Sequence, residues 1–560
     1  MAAFDIDSHC AKLLEQWGPA VMHLHHEYTR DKLGLVFGAG ATHKLGFPDW
    51  KQLIERIAEL PEVDSKEILA KAGAATSKSQ LLYERFRERT LAKGGVDTIS
   101  LKRHDLRVKA AWRAVVHKAL YQGVSADTAD IQRNDPYLWA YLPIIRKTAV
   151  TVTYNFDNTI ERLLDATRSA EDSLKGRGYS VVFNANIQLV ARRAVIYHPN
   201  GYLPFDTETE RSSDEVVFLE DSFADQLIDS TRGHYAALSN HFAQNTCLFV
   251  GLSLTDNVLA HLLRQNARAF PGRHHYYVRY VPSGETRDVA YERAVRQANF
   301  SIYNLITLFL DDEGIAALGK VLVQETVTLA QALEDAGHKP VRRYFVTGCV
   351  SVGKTTTTMQ LQSLLAHGEW TTPIPKAMNS DPTVIAAQDP ALVEKADLWV
   401  AEQVGIKNRT LAGLSEGVHV VDRAPLDAFA FGVKPGWGEK AKRIRSEVSK
   451  GHSNRPLCKG HVILLIGEPA VLAARSELRA KNFSQEQLLE QQERLKEVYQ
   501  NVVGSGVTVV DTRERSVSEV VRDVAQVVHM DAYVEADLDG ALSTLEHYDH
   551  VDTLSVSADA

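Results

Sequence analysis

The alternation of apolar and polar positions divides the chain into two α/β stretches joined by a polar interval. Residues 8–30 read as a helix capped by Asp7 or Ser8. The apolar run Leu33–Phe37 follows, and Glu62 to Gln122 is mostly of helical pattern. From Lys147 short β-branched runs alternate with helical segments, which predicts a parallel sheet. The predicted strands are Ala149–Thr153, Ser180–Phe183, Ala194–Tyr197, Cys247–Val250 and His275–Tyr280. The pattern lapses near Ala330–Pro340, and Tyr344–Thr347 opens a second α/β unit that runs to about residue 535. The expected organisation is a first domain over 1–335 with a helical insertion at about 62–125, and a second over 340–535. An acidic stretch, 536–560, lacks a core pattern and is expected to be a flexible tail.

Composition narrows the class. A chain of 560 residues is too long for one core. The net charge of −8 gives no global footprint for nucleic acid or a membrane surface. No apolar run reaches the roughly 20 residues that span a bilayer. The opening residues MAAFDIDSHC lack a basic and apolar leader, so a cytoplasmic location is expected. The four cysteines, Cys10, Cys247, Cys349 and Cys458, form neither a disulfide framework nor a C-x-x-C pair. The basic residues Lys102, Arg103, Arg107, Lys109 and Arg113 are read as a solvated helix face.

Chemistry is concentrated at strand ends. Gly38–Trp50, GAGATHKLGFPDW, follows the first apolar run. A strand that ends in Gly-x-Gly and enters a helix aims backbone N–H groups at a pyrophosphate. The third glycine is Gly46, so the spacing departs from G-x-G-x-x-G. The whole string resembles the nucleotide loop of sirtuins, with Thr42, Phe47 and Trp50 in place of the serine, isoleucine and phenylalanine. Thr153-Tyr154-Asn155-Phe156-Asp157, where an Asx turn is the local alternative, resembles their T-Q-N-I-D element. Gly251-Leu252-Ser253-Leu254-Thr255-Asp256 resembles their G-T-S segment. The resemblance, over residues 30–315, implies a Rossmann-like parallel sheet that binds NAD. Gly38, Ala39, Gly40, Thr42, Pro48, Asp49, Gly251, Ser253 and Asp256 would contact the cofactor.

The two C-x-x-C pairs of the sirtuin zinc module are absent, which disfavours a protein deacetylase. The segments IYHPNGYLP, FLEDSF and FVGLSLTDN are similar instead to bacterial antiviral SIR2 proteins, which hydrolyse NAD. Their catalytic Asn carries over to Asn155, with Asp157 in support. Their His usually precedes a glycine. Here Asn200 precedes Gly201 and His198 lies two residues earlier. Asn is no general base at neutral pH. Either His198 fills the role through a shifted turn, or the site is weakened.

In the second stretch Gly348-Cys349-Val350-Ser351-Val352-Gly353-Lys354-Thr355 satisfies G-x-x-x-x-G-K-[ST] between a strand and a helical run. The backbone from Gly348 through Thr356 would cradle phosphates, Lys354 would reach the β/γ oxygens, and Thr355 would ligate Mg²⁺. Asp422-Arg423, after the predicted strand Val418–Val421, resembles the D-R segment of thymidylate and deoxynucleoside kinases. Arg475 and Arg479 resemble their phosphate-clamping lid. The combined expectation is an α/β protein with a SIR2 domain followed by a P-loop kinase-like domain. It would be an NAD hydrolase, of antiphage type by resemblance, controlled by ATP or another nucleotide or deoxynucleotide within a homo-oligomer. The alternative is a nucleotide or deoxynucleoside kinase that carries a weakened SIR2-like binding domain.

Overall fold

The computed structural model describes residues 7–548, apart from 71–72, 94–100, 169–177, 184–193, 215, 220–232, 255, 376–391, 432–435 and 452–454. The chain forms two compact units, Met1–Ala269 with His274–Ala332, and Phe270–Arg273 with Leu333–Ala560.

The first unit opens on helix Ser8–Thr29, which starts where the Asp7 carboxylate accepts from the amides of His9 and Cys10. Its seven strands are β1 Leu33–Phe37, β2 Val150–Thr153, β3 Tyr179–Val182, β4 Ala194–Tyr197, β5 Thr246–Val250, β6 His275–Tyr280 and β7 Leu305–Leu310. They form one parallel sheet in the order β3-β4-β2-β1-β5-β6-β7. Every residue of β1, β2 and β5 is buried, as expected of parallel strands covered on both faces. β1 lies between β2 and β5, so the strand order reverses at its carboxyl end, where open α/β sheets form a ligand crevice. β7, LITLFL, was not among the predicted strands. Helices Ala75–Lys93 and Leu101–Leu120 pack on helix Trp50–Glu59.

A buried histidine makes this unit sensitive to acid. His241 lies on helix Gly233–Gln244 against β1, where a side chain at Gly34 would meet its ring at 2.6 Å. Burial pushes its pKa down from 6.5 to about 4. Between those values the unfolded chain takes up a proton that the folded chain excludes. The stability is therefore complete above pH 6.5 and falls as the pH drops toward 4. The linkage amounts to about 2 kcal/mol between pH 7 and pH 5. We expect the urea midpoint of the first unit to fall over that interval, and His241→Gln to remove most of the fall.

The second unit has five parallel strands: β8 Val341–Gly348, β9 Leu365–His367, β10 Gly417–Asp422, β11 His461–Ile466 and β12 Val507–Asp511. Their order is β12-β11-β8-β10-β9, with β8 at the reversal point. The acidic end is not a loose tail up to residue 548. Asp537 caps helix Leu538–Glu546, and Leu538, Leu542 and Leu545 are fully buried. Arg445 pairs with Asp539 and Glu546, so the acidic positions hold the helix in place. Residues 549–560 of the expected tail lie outside the described residues. Among the described residues no helix is long and apolar enough to cross a membrane.

Candidate functional site

The glycine-rich turn after β1 differs from the expected strand-to-helix loop. Two single 3₁₀ turns, Ala39–Ala41 and His43–Leu45, follow β1. The α-helix begins only at Trp50, where Asp49 and Gln52 form a reciprocal capping box. The amides of Gly38, Gly40, Ala41 and Thr42 donate to Val250 O, Gly251 O, Gly38 O and Ala39 O. They do not present a free pyrophosphate cradle. The glycines serve a backbone seam. A Cβ on Gly40 would meet Gly251 Cα at 2.9 Å, and one on Gly251, at φ +70°, would strike the Ala41 amide.

Beyond this seam a cleft of about 360 Å³ opens at the carboxyl ends of β1 and β2. Phe47, Pro48, Trp50 and Ala39 line it on the apolar side, with Thr42, Asp49, Asn155 and Asp157 on the polar side. Asn155 Nδ2 donates to Thr42 Oγ1 at 3.3 Å, so residues 113 positions apart share one floor. Asp157 accepts from the Thr159 amide at 3.0 Å, and burial pushes its carboxyl above the usual range. This bond is the Asx-type interaction that the sequence offered as the local alternative, made by a residue that also lines the cleft.

The predicted histidine is not presented to this cleft. His198 is fully buried, with Nδ1 2.9 Å from Asn155 O and Nε2 2.8 Å from Glu161 Oε1. Both ring nitrogens are engaged, so the expectation of a general base on a shifted turn is corrected. Asn200 is also buried and donates from Nδ2 to Tyr154 O at 3.3 Å. It too lies outside the cleft lining. Asp256 caps helix Asn257–Ala269 by accepting from the amides of Val258 and Leu259. Ser253 is exposed. Glu161 escaped the sequence reading because nothing in its local pattern separates it from an ordinary helical glutamate.

In the second unit, the loop after β8 turns through left-handed backbone at Gly348, Ser351 and Gly353, with φ of +145°, +65° and +108°. Lys354 opens helix Lys354–Gln360 and donates from Nζ to Gly348 O and Cys349 O, both at 2.9 Å. Burial, reinforced by Arg423, lowers its pKa. Val352 is buried, Thr355 is exposed and Thr356 is half-buried. Asp422 ends β10 beside β8, and both of its carboxylate oxygens are buried without a hydrogen-bond partner. Arg423 pairs with Glu369 and lies 3.7 Å from Asp427, which also accepts from Thr347 and Tyr499. Arg475 and Arg479, at the end of helix Pro469–Leu478, are exposed.

A pocket of about 710 Å³ adjoins this cluster, with Phe345, Trp370 and Phe431 among its apolar walls and Glu369, Gln403 and Arg423 among its polar ones. Lys407 also lines it and donates to Glu369 O and Asp422 O. Burial lowers the Lys407 pKa to about 8. The sequence reading singled out only Arg423 of these residues. The usable signals were Asp427, four positions beyond Arg423, and Glu369, two positions past the end of β9.

No curated protein matches the chain. A family model described as a SIR2-like domain matches residues 149–305. That match runs from β2 to the start of β7 and so includes Asn155, Asp157, His198 and Gly251; β1 and its loop precede it but complete the same sheet. Residues 149–305 of the first unit are thus similar to a SIR2-like domain.

Proposed function

We propose that the first unit hydrolyses NAD and that the second binds a nucleotide that controls the reaction. The observation that carries the first half is the Thr42–Asn155 floor beneath the apolar wall at the sheet's reversal point. Nicotinamide is a cationic leaving group on an anomeric carbon, so its departure needs an oriented ribose, a dry pocket and a directed water. Phe47, Pro48 and Trp50 suit the planar ring, and the Asn155 amide suits a ribose hydroxyl or the water. The N-glycosidic bond breaks, water supplies hydroxide to the carbon, and its remaining proton passes to solvent. A second cleft lies at the ends of β6 and β7, with Trp17, Ser283 and Arg287 among its lining. It is three strand spacings, about 14 Å, along the same edge, which suits the adenosine half of a dinucleotide.

In the second unit the unpartnered Asp422 oxygens and the exposed Thr355 hydroxyl are hard donors of the kind Mg²⁺ takes, and Lys354 supplies the charge that meets phosphate. The test is purified protein incubated with NAD, with and without a panel of nucleotides and deoxynucleotides, followed by chromatography. Nicotinamide and ADP-ribose are expected, at a rate set by the nucleotide. Intact NAD under every condition would sink the reading.

One observation favours the alternative, a kinase: the pocket beside the Arg423 cluster. Its aromatic walls suit the base of a nucleoside, and Glu369 in its lining is a carboxylate of the kind that would take a proton from an acceptor hydroxyl. Transfer of labelled phosphate from ATP to a nucleoside or nucleotide in the same panel would support it.

A further inference from the structure

We propose that His198 and Glu161 form a buried positioning pair that sets where Asn155 stands in the cleft. The inference rests on the reading of Asn155 as the group that holds the substrate, and it assigns a role to two residues that do not reach the substrate themselves.

The pair joins three elements. His198 follows β4, Glu161 lies on helix Thr159–Ala166, and Asn155 lies in the turn after β2. The imidazole is clamped between the Asn155 carbonyl and the Glu161 carboxylate, and both side chains are essentially inaccessible. A carbonyl can only accept, so Nδ1 carries a hydrogen, and a second proton held between Nε2 and Glu161 Oε1 fixes the ring in the orientation that delivers it. The edge of Tyr202 packs on the ring at a centroid distance of 4.7 Å.

The short segment around His198 grips three consecutive carbonyls of the catalytic turn. Asn200 Nδ2 donates to Tyr154 O, His198 Nδ1 to Asn155 O, and the Leu203 amide to Phe156 O at 2.7 Å. None of the three donor residues lines the cleft, whereas Asn155 sends its own side chain to Thr42 on the cleft floor. The residues that resembled a displaced catalytic histidine hold the backbone of the turn.

Glu161 argues against a role in packing alone. Its Oε2 is buried with no hydrogen-bond partner. A half-satisfied buried carboxylate destabilises a fold relative to an apolar residue of similar volume. Its presence is accounted for by the need to orient the histidine.

The test compares Glu161→Ala with Glu161→Gln, which retains a group able to bond Nε2. Steady-state kinetics on NAD, NAD affinity, melting temperature and hydrogen exchange are measured for each. Glu161→Ala is expected to lower kcat at least 10-fold, leave KM within threefold, and raise amide exchange at residues 153–158 alone. Glu161→Gln should return kcat and exchange to within threefold of the natural protein. The proposal is overturned if Glu161→Ala leaves exchange at 153–158 unchanged, if exchange rises throughout the first unit, or if Glu161→Gln behaves like Glu161→Ala. If the natural protein binds NAD without cleaving it, hydrolysis is refuted. The exchange pattern and its rescue then decide the pair by themselves.

Discussion

Asn155→Ala is expected to lower NAD turnover by at least 100-fold while the melting temperature of the first unit stays within a few degrees. The size follows from the loss of one preorganised polar group aimed at a reacting centre, which typically costs about 10²–10³ in rate. The retention of the fold follows from the surroundings. The Asn155 side chain has one hydrogen bond, to Thr42, and lies on the floor of a cleft rather than within a packed core. The backbone of the turn stays held, because the bonds to its carbonyls come from His198, Asn200 and Leu203 and do not involve the Asn155 side chain. The measurements are nicotinamide release by chromatography and thermal melting of the same preparation. Turnover within threefold of the natural protein would remove Asn155 from the mechanism.

Lys354→Ala is expected to weaken binding of a nucleoside triphosphate by about 100-fold, the equivalent of roughly 2–3 kcal/mol for a charge-assisted bond to phosphate. The lysine now bonds two carbonyls of its own loop and must exchange them for phosphate oxygens when a nucleotide enters. Its removal should not unfold the second unit, because a buried ammonium whose pKa is already depressed by burial contributes little net stability. If nucleotide binding governs NAD cleavage, the variant should also lose the response and remain at one rate. A ligand can shift an equilibrium only by its differential affinity for the two states, and couplings of about 1–3 kcal/mol are typical. Calorimetry with ATP and deoxynucleotides measures the first effect, and NAD cleavage at increasing nucleotide concentration measures the second. A variant that no longer binds nucleotide yet is still regulated would show that the sensor lies elsewhere.

The parts of the protein legible in the sequence are those written in local chemistry. Asp7 marks the first helix because its carboxylate caps the adjacent amides. The runs VTVT and AVIY that became β2 and β4 announce themselves because strands buried on both faces favour β-branched residues. Helix Leu538–Glu546 was hidden by acidic composition, although Leu538, Ala541, Leu542 and Leu545 fall on one helical face. The glycines of the first loop were recognised, but their reason was not. Gly40 answers to Gly251, a residue more than two hundred positions away, and only the fold brings the two together. The same holds for the pocket of the second unit. Glu369, Gln403 with Lys407, and Arg423 come from three separate stretches of the chain, and no one of them has a distinctive neighbourhood.

The central place of β1 has a consequence for how the chain is made. β1 emerges from the ribosome early, yet one of its partners, β2, is more than a hundred residues behind it and the other, β5, about two hundred. At synthesis rates of 5–20 residues per second, β1 waits roughly 10–40 s before both of its edges are covered. During that interval LGLVF is an apolar strand with open hydrogen-bonding groups on each side, the kind of segment that pairs with another nascent chain. The preceding helix and the capped segment after it can form locally in the meantime, but neither supplies a sheet edge. Crowded polysomes and slow codons between residues 150 and 250 are therefore the conditions under which this protein is most exposed to co-translational aggregation.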